Sequence, residues 1–400
     1  MKVLNKYKKI VGKDVIEKLR QQSQPLYGKH ILNINSTYQG GGVAEILNSL
    51  IPLMNELGVN AGWRILHGSV DFFKLTKKLT NALQGEPFRF TPSKEKVYIE
   101  NLKKFSTFTH IDHDLVVIHD TQPLGLISFY NKKQPWVWRC HTDISQPNKH
   151  VYNYIRKYIR KYDLMVVLSE NFLKELSVEQ KVMPPSIDPL SNKNKPISER
   201  MVCRCLEEYG INQRKPIILQ VSRFDIFKDP MGVLKIFKKV RQKVNCQLVL
   251  IGSVAMDDPE CSIVYKQISK IAKKKDVTLI NEQNDLLVNA LQRAASVVIQ
   301  KSKREGFGLT VTEAMWKGTP VVASNVGGIK DQIRHGKNGF LVEPANLHGF
   351  TDSIIKLLKD EKLRGDMGKF GKEYVRQNFL ITTHLMNWIN ILNEQLGKRK

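Results

Sequence analysis

Residues 303–322 read KREGFGLTVTEAMWKGTPVV. Just before them stands AASVVIQ (294–300), short, apolar and β-branched, the pattern of a strand buried on both faces of a parallel sheet. Leu309 to Lys317 suit a helix, and Gly318 stands where a glycine closes one. TPVVAS (319–324) then reads as a second buried strand. Strand, glycine turn, helix, strand is the unit of an open α/β sheet, whose ligands bind in the turn beyond a strand's carboxyl end. Here that turn carries Glu305, Gly306, Phe307 and Gly308, followed by Leu309, Thr310 and Glu313. A purely structural alternative exists: Thr310 and Glu313 fit the T-x-x-E capping box, and Glu305 suits a solvated loop. The glycines favour a ligand, because they bring bare backbone amides close to it.

With 400 residues the chain has room for two or three domains at roughly 150 residues each. A composition of 42% hydrophobic and 25% charged residues is that of globular material able to fill two cores. No apolar run approaches the ~18 residues of a membrane span, and the N-terminus lacks the apolar core of a secretion signal. The five cysteines form no C-x-x-C pair, so reduced thiols and a cytoplasmic location are expected. The formal charge of +25 suits nucleic acid, an anionic surface or phosphorylated small substrates. Its lysines and arginines are scattered from Lys2 to Lys400, however, with no zinc-finger, helix-turn-helix or RNA-binding signature. They read as solvated surface. Nucleic-acid binding is thus the non-enzymatic alternative, and neither a nucleic-acid partner nor stable membrane insertion is expected.

A helical lead-in over 1–28 precedes a first α/β run. HILNINS (30–36), LVVIHD (115–120), WVWRCH (136–141) and LMVVLS (164–169) read as strands ending in polar residues. Val43, Ile46, Leu47, Leu50, Leu53, Met54 and Leu57 keep helical spacing up to Gly58. VMPPSIDPLSNKNKPIS (182–198) reads as a linker, and a second α/β run follows with PIILQVS (216–222) and CQLVLIGS (246–253). The expected division is 1–190 for an N-terminal domain and 191–375 for a C-terminal domain. A last helix, 376–400, is expected to pack back toward the first domain.

Two further features point to a phosphate. Gly40, Gly41 and Gly42 lie between a strand and a helix start, where unpaired amides and the helix dipole attract an anion. They match neither G-x-G-x-x-G nor a P-loop, so the dehydrogenase and P-loop readings lack their motifs. In QVSRFDIFKDPMGVLKIF (220–237), Arg223 closes a strand and Lys228 precedes Asp229-Pro230, an N-cap and first-turn pair. Two cations beside the positive end of a helix call for an anion, and a diphosphate fits. Glu305 and Glu313, as acceptors, suit sugar hydroxyls. The turn Asp112-His113-Asp114 reads as a polar turn before a strand rather than a metal cluster.

This set of motifs resembles the retaining glycosyltransferases of family four. Their E-x7-E element is matched by EGFGLTVTE, their phosphate-binding pair by Arg223 and Lys228, and their glycine loop by Gly40–Gly42. NSTYQGGGVAEILNSLIPLMNELG, HDTQP, QPWVWRCHTDIS and MPPSIDPLS bring the resemblance closer to the glucosyl-transferring synthases of trehalose. The resemblance implies the GT-B fold, two Rossmann-like parallel-sheet domains facing across a cleft. It implies transfer of glucose from a nucleoside diphosphate glucose to free glucose, giving α,α-trehalose, without a metal or other cofactor. Catalytic roles fall on Glu305, His141, Arg223 and Lys228. Donor contacts fall on Gly40, Gly41, Gly42, Gly306, Phe307, Gly308, Leu309, Thr310 and Glu313. Acceptor contacts fall on His119, Asp120 and Asp143. The alternatives are a retaining trehalose phosphorylase or a transferase with another acceptor, and a homodimer is compatible with any of them. One departure stands out: the family's Trp-Lys-Gly run is Phe227-Lys228-Asp229 here.

Overall fold

A computed structural model describes residues 3–39, 41–252, 259–272 and 276–398. The chain divides into two compact units, Met1–Ser186 with Ile381–Lys400, and Ile187–Leu380. Each holds one six-stranded sheet. The first consists of β1 (His30–Asn35), β2 (Asn60–Ile65), β3 (Leu115–His119), β4 (Trp136–Arg139), β5 (Leu164–Val167) and β6 (Glu179–Val182), in the order β2-β1-β3-β4-β5-β6. The second consists of β7 (Ile217–Val221), β8 (Gln247–Gly252), β9 (Val277–Asn281), β10 (Val297–Gln300), β11 (Val321–Ser324) and β12 (Gly339–Val342), in the order β12-β11-β10-β7-β8-β9. Every pairing is parallel.

Parallel sheets are covered on both faces, which is why the central strands are apolar without alternation. β3, β4, β5, β10 and β11 are buried along their whole length. The edge strands β2, β6 and β9 carry half-buried polar residues and lack that signature, so the sequence pattern passes over them. Strand order decides where ligands bind. In each sheet the chain runs outward from a central strand, then returns to its other side: between β1 and β3 in the first, between β7 and β10 in the second. The crevice outside the carboxyl ends of such a strand pair is the binding position of open α/β sheets.

The proline-rich stretch 182–198 is more than a linker. From Ile187 onward it belongs to the second unit, bridging to Leu380, and Asn194 is buried. Its carbonyls are collected by Asn289 Nδ2, Arg293 and the indole of Trp316. Those donors lie about a hundred residues downstream, which local composition does not register. The C-terminal helical stretch is two helices, Glu361–Asn378 in the second unit and Ile381–Gly397 in the first. The latter packs on the helix Lys13–Ser23, where Asn393 donates to the carbonyl of Gln22. None of the helices is long and apolar enough to cross a membrane, among the described residues.

Candidate active site

In the second unit the turn after β7 and the turn after β10 meet at the switch point. Lys228 and Glu305 form an ion pair there, with both side chains largely buried. The same carboxylate oxygen, Oε2, also accepts from Gln300 Nε2 at 3.2 Å and Ser302 Oγ at 3.1 Å. Gln300 is the last residue of β10, so the strand itself aims the carboxylate. Lys228 is held as firmly. Asp225 Oδ1 caps the short turn Ile226–Lys228 by accepting from the amides of Phe227 and Lys228, and Gln220 Nε2 donates to the Lys228 carbonyl at 2.8 Å. The Lys303 amide donates to the Phe227 carbonyl at 2.7 Å, tying the two turns together.

Asp229, where the resembling family has glycine, adopts the left-handed conformation at φ 43° and caps the helix Pro230–Arg241 through the Gly232 amide. Its other oxygen pairs with the buried Lys301. Arg223 lies beyond β7, half exposed, 3.1 Å from Asp225 Oδ2.

The helix Leu309–Trp316 begins at Gly308, whose φ of 86° and ψ of 65° a side chain would strain. A Cβ there would also lie 3.2 Å from Glu305 Cγ. The capping box is not formed, because Thr310 is inside the helix and the N-cap is Gly308 without a side-chain cap. Glu313 is buried instead, with Gln292 Nε2 at 3.4 Å and Lys193 Nζ at 3.8 Å. Nearby Lys317 donates to Asn194 Oδ1 at 2.7 Å, and burial lowers its ammonium to about 7. Phe307 turns its ring inward against Phe379, so only its backbone remains for a ligand. Gln332 spans the turn, donating to the Phe307 carbonyl while accepting from Thr312 Oγ1 at 2.6 Å. First-turn amides of a helix have no intrahelical partner. Those at Leu309 and Thr310 are therefore the natural donors to an anion in this turn.

In the first unit the polar ends of β1, β3 and β4 converge. His119 Nδ1 lies 3.0 Å from His141 Nε2, and His119 Nε2 lies 3.1 Å from Asn33 Oδ1. His119 is thereby buried with both ring nitrogens engaged by protein. Asp120, at φ 63°, accepts from the His141 amide at 2.9 Å and from Thr142 Oγ1 at 3.4 Å. Burial pushes its carboxyl up to about 6. Asp143 Oδ1 caps the next turn through the Ser145 amide at 2.8 Å.

Behind them Arg139 is fully buried, donating to the carbonyls of Val167 and Met183. Burial, reinforced by this guanidinium, holds His119 and His384 down to about 3 and His141 well below the ordinary histidine value. The three imidazoles are neutral. Gly41 starts the helix Gly42–Glu56 at φ 103°, whereas Gly40 lies outside the described residues. Asp114 accepts from Lys29 Nζ and the His30 amide, fastening β1 to the start of β3. Among the described residues no three of His, Cys, Asp or Glu gather as metal ligands.

Pattern reading singles out Lys228, Glu305, Glu313 and His141 as candidates but misses the residues that hold them. Gln300 and Asn33 carry a visible signal, each being a polar residue within an apolar strand. Ser302, Gln332, Arg139 and His384 carry none: the last three reach partners remote in sequence, and Ser302, three residues from Glu305, is one polar residue among several in its loop.

Two parallel-sheet units, each with polar groups at its switch point, are the architecture of the GT-B fold. Residues 33–174 match the family described as trehalose synthase, N-terminal domain, and residues 206–374 match glycosyl transferases group 1. The trehalose synthase of Pyrococcus horikoshii is 44% identical over 98% of this chain and 97% of its own. That of Rubrobacter xylanophilus is 38% identical over 99% and 98%. A trehalose phosphorylase of Grifola frondosa is more distant, 29% identical over 93% of this chain and 58% of its own. Among solved structures, sucrose-phosphate synthase from Thermosynechococcus elongatus superposes with a TM-score of 0.73 at 18% identity, over 93% of this chain and 100% of its own. An Escherichia coli structure titled trehalose-6-phosphate, bound with UDP-2-fluoro glucose, gives 0.75 at 13% identity over 91% and 99%. The chain belongs to the trehalose synthase family of glycosyltransferases, and it is a hexosyltransferase.

Proposed function

We propose that the protein moves glucose from a nucleoside diphosphate glucose to the anomeric hydroxyl of free glucose, forming α,α-trehalose with retention at the transferred carbon. The observation that carries this reading is the Lys228–Glu305 pair at the switch point of the second sheet. It sets a cation for a diphosphate beside a carboxylate for sugar hydroxyls, with helix-start amides next to both. The second unit is then the donor domain and the first the acceptor domain, divided as the chain's two compact units are.

In the reaction the bond from the glucosyl carbon to the diphosphate oxygen breaks with its electron pair going to phosphate. Arg223, Lys228 and the amides at Leu309 and Thr310 stabilise that developing charge, a preorganised electrostatic role. The diphosphate competes with Glu305 for Lys228, which frees the carboxylate to orient donor hydroxyls. The acceptor oxygen attacks from the same face, and its proton passes to the departing phosphate oxygen. Glu313 takes ribose hydroxyls. His141 stands at the reacting sugar, with Asp120 and Asp143 shaping the acceptor loop through the amides they hold. Metal-independent action in the cytoplasm is part of this reading.

The test is incubation with glucose and ADP-, UDP- or GDP-glucose, following anomeric proton resonances together with released nucleotide. Trehalose accompanied by equimolar nucleoside diphosphate is the expected result. Donor consumption only with another acceptor removes the trehalose assignment. Glucose 1-phosphate formed from trehalose and phosphate, with all nucleotide sugars inert, replaces it by a phosphorylase.

A further inference from the structure

The hydrogen bonds around His119 leave a single consistent assignment of protons. Asn33 Nδ2 faces the backbone carbonyl of Gly62 at 3.3 Å, and a carbonyl only accepts. The Asn33 amide is therefore oriented with Oδ1 toward His119, as an acceptor. His119 Nε2 must then carry the proton it donates to Asn33. A neutral imidazole has one N–H, so His119 Nδ1 is a lone pair. The atom facing it at 3.0 Å, His141 Nε2, must in turn be protonated. His141 Nδ1 is thereby left as a lone pair. The chain runs from a backbone carbonyl of β2 through Asn33 on β1 and His119 on β3 to His141 beyond β4, crossing the switch point of the first sheet.

We propose that Asn33 and His119 are positioning residues that lock His141 in the Nε2–H tautomer, so that His141 Nδ1 meets the substrate as a hydrogen-bond acceptor. In this arrangement His141 receives a hydrogen bond from a sugar hydroxyl and does not protonate the leaving group. His119 acts behind His141 rather than on the acceptor sugar. The surroundings support it, since desolvation and the neighbouring cation Arg139 disfavour a second proton on either ring. The inference deepens the transferase reading above and rests on it for the identity of the hydroxyl, but not for the tautomer.

The experiment reads the tautomer directly. Protein labelled with 15N-histidine is examined by two-bond proton–nitrogen correlation, with His119→Gln and His141→Gln spectra for assignment. The expected result is protonated Nε2 and unprotonated Nδ1 in both rings. A proton on His141 Nδ1 overturns the proposal, whatever the enzyme makes. Two variants then test the relay. Asn33→Asp keeps an acceptor oxygen toward His119, whereas Asn33→Leu removes it, and both lose the donor to Gly62. The leucine variant is expected to mix tautomers at His141 and to lose about tenfold to a hundredfold in kcat with the donor KM nearly unchanged, a loss of the kind a wrong tautomer causes. The aspartate variant is expected to keep the tautomer and most of the turnover. Equal damage in both variants overturns the relay and leaves Asn33 a packing residue. Absence of trehalose synthesis in the unaltered protein sinks the transferase reading alone, because the nitrogen spectra need no substrate.

Discussion

The two switch points solve opposite electrostatic problems. In the second unit Lys228 and Glu305 pair with one another inside the protein, with Gln300 and Ser302 sharing the carboxylate. In the first unit, among the described residues, no carboxylate forms an ion pair with Arg139, whose guanidinium donates to main-chain carbonyls, and the adjacent histidines are held low in pKa. A site meant for a diphosphate needs charge that a ligand can take over. A site meant for a neutral sugar needs directed donors and acceptors without net charge. On the proposed reading, that difference matches a diphosphate received by one unit and a neutral sugar by the other.

The sharpest way to break this contrast is to remove a charge from the pair. Glu305→Ala and Lys228→Ala are each expected to lower transfer about a hundredfold to a thousandfold, the scale of losing a preorganised electrostatic contact. Circular dichroism is expected to show both variants folded. Turnover near that of the unaltered protein in either one removes that residue from the chemistry. If the two act as a unit, the double variant loses much less than the product of the single losses, as a mutant cycle measures.

Backbone geometry comes next. Gly308→Ala places a side chain at φ 86° and 3.2 Å from Glu305 Cγ. A loss of about 1–2 kcal/mol in stability is expected, with a tenfold fall in kcat because the carboxylate is displaced. Denaturant titration and steady-state kinetics read the two effects separately. A fall in stability with kcat intact would show that Glu305 tolerates a shifted turn.

The first unit is tested by pH. His119 and His384 are depressed to about 3 and His141 well below its ordinary 6.5, so the unfolded chain takes up protons that the folded one refuses. Stability from these groups is present above about pH 6.5 and lost as pH falls below it. Asp120, raised to about 6, works the other way over roughly pH 4 to 6, but it is one group against three. Tm is expected to fall between pH 7.5 and pH 5, less steeply in His384→Gln. A flat profile would mean that these rings titrate alike in both states.

Arg223→Ala is expected to do least. The side chain is half exposed and its ion pair with Asp225 is worth little by itself. A kcat/KM lowered about tenfold, with Tm unchanged, is the predicted outcome, because a half-exposed guanidinium stabilises the developing charge less than the largely buried Lys228 does. A loss as large as that of Lys228→Ala would make Arg223 its equal in the transition state.

Much of the glycine turn after β10 was legible because its determinants are local. Asp229 before Pro230 marks a helix start, Gly318 closes a helix at φ 80°, and the apolar runs of β10 and β11 announce buried parallel strands. Where two local readings competed, the sequence left the choice open. Thr310 and Glu313 fit a capping box, yet packing moved the helix start to Gly308 and turned Glu313 inward toward Gln292 and Lys193. The stretch after Val182 looked like a linker because prolines and asparagines are common in both linkers and packed loops. Only its long-range donors tell the two apart.

By itself the sequence determined the class of the fold, the glycine turns and the identity of the charged residues, since these depend on periodicity and on neighbours within a helical turn. Tertiary structure alone decided that Lys228 meets Glu305 across 77 residues, and that Asn33, His119 and His141 line up from three strands. The physical reason is strand order. Residues far apart in the chain become neighbours when a sheet reverses its direction of growth, and no local preference encodes which strands will flank that reversal.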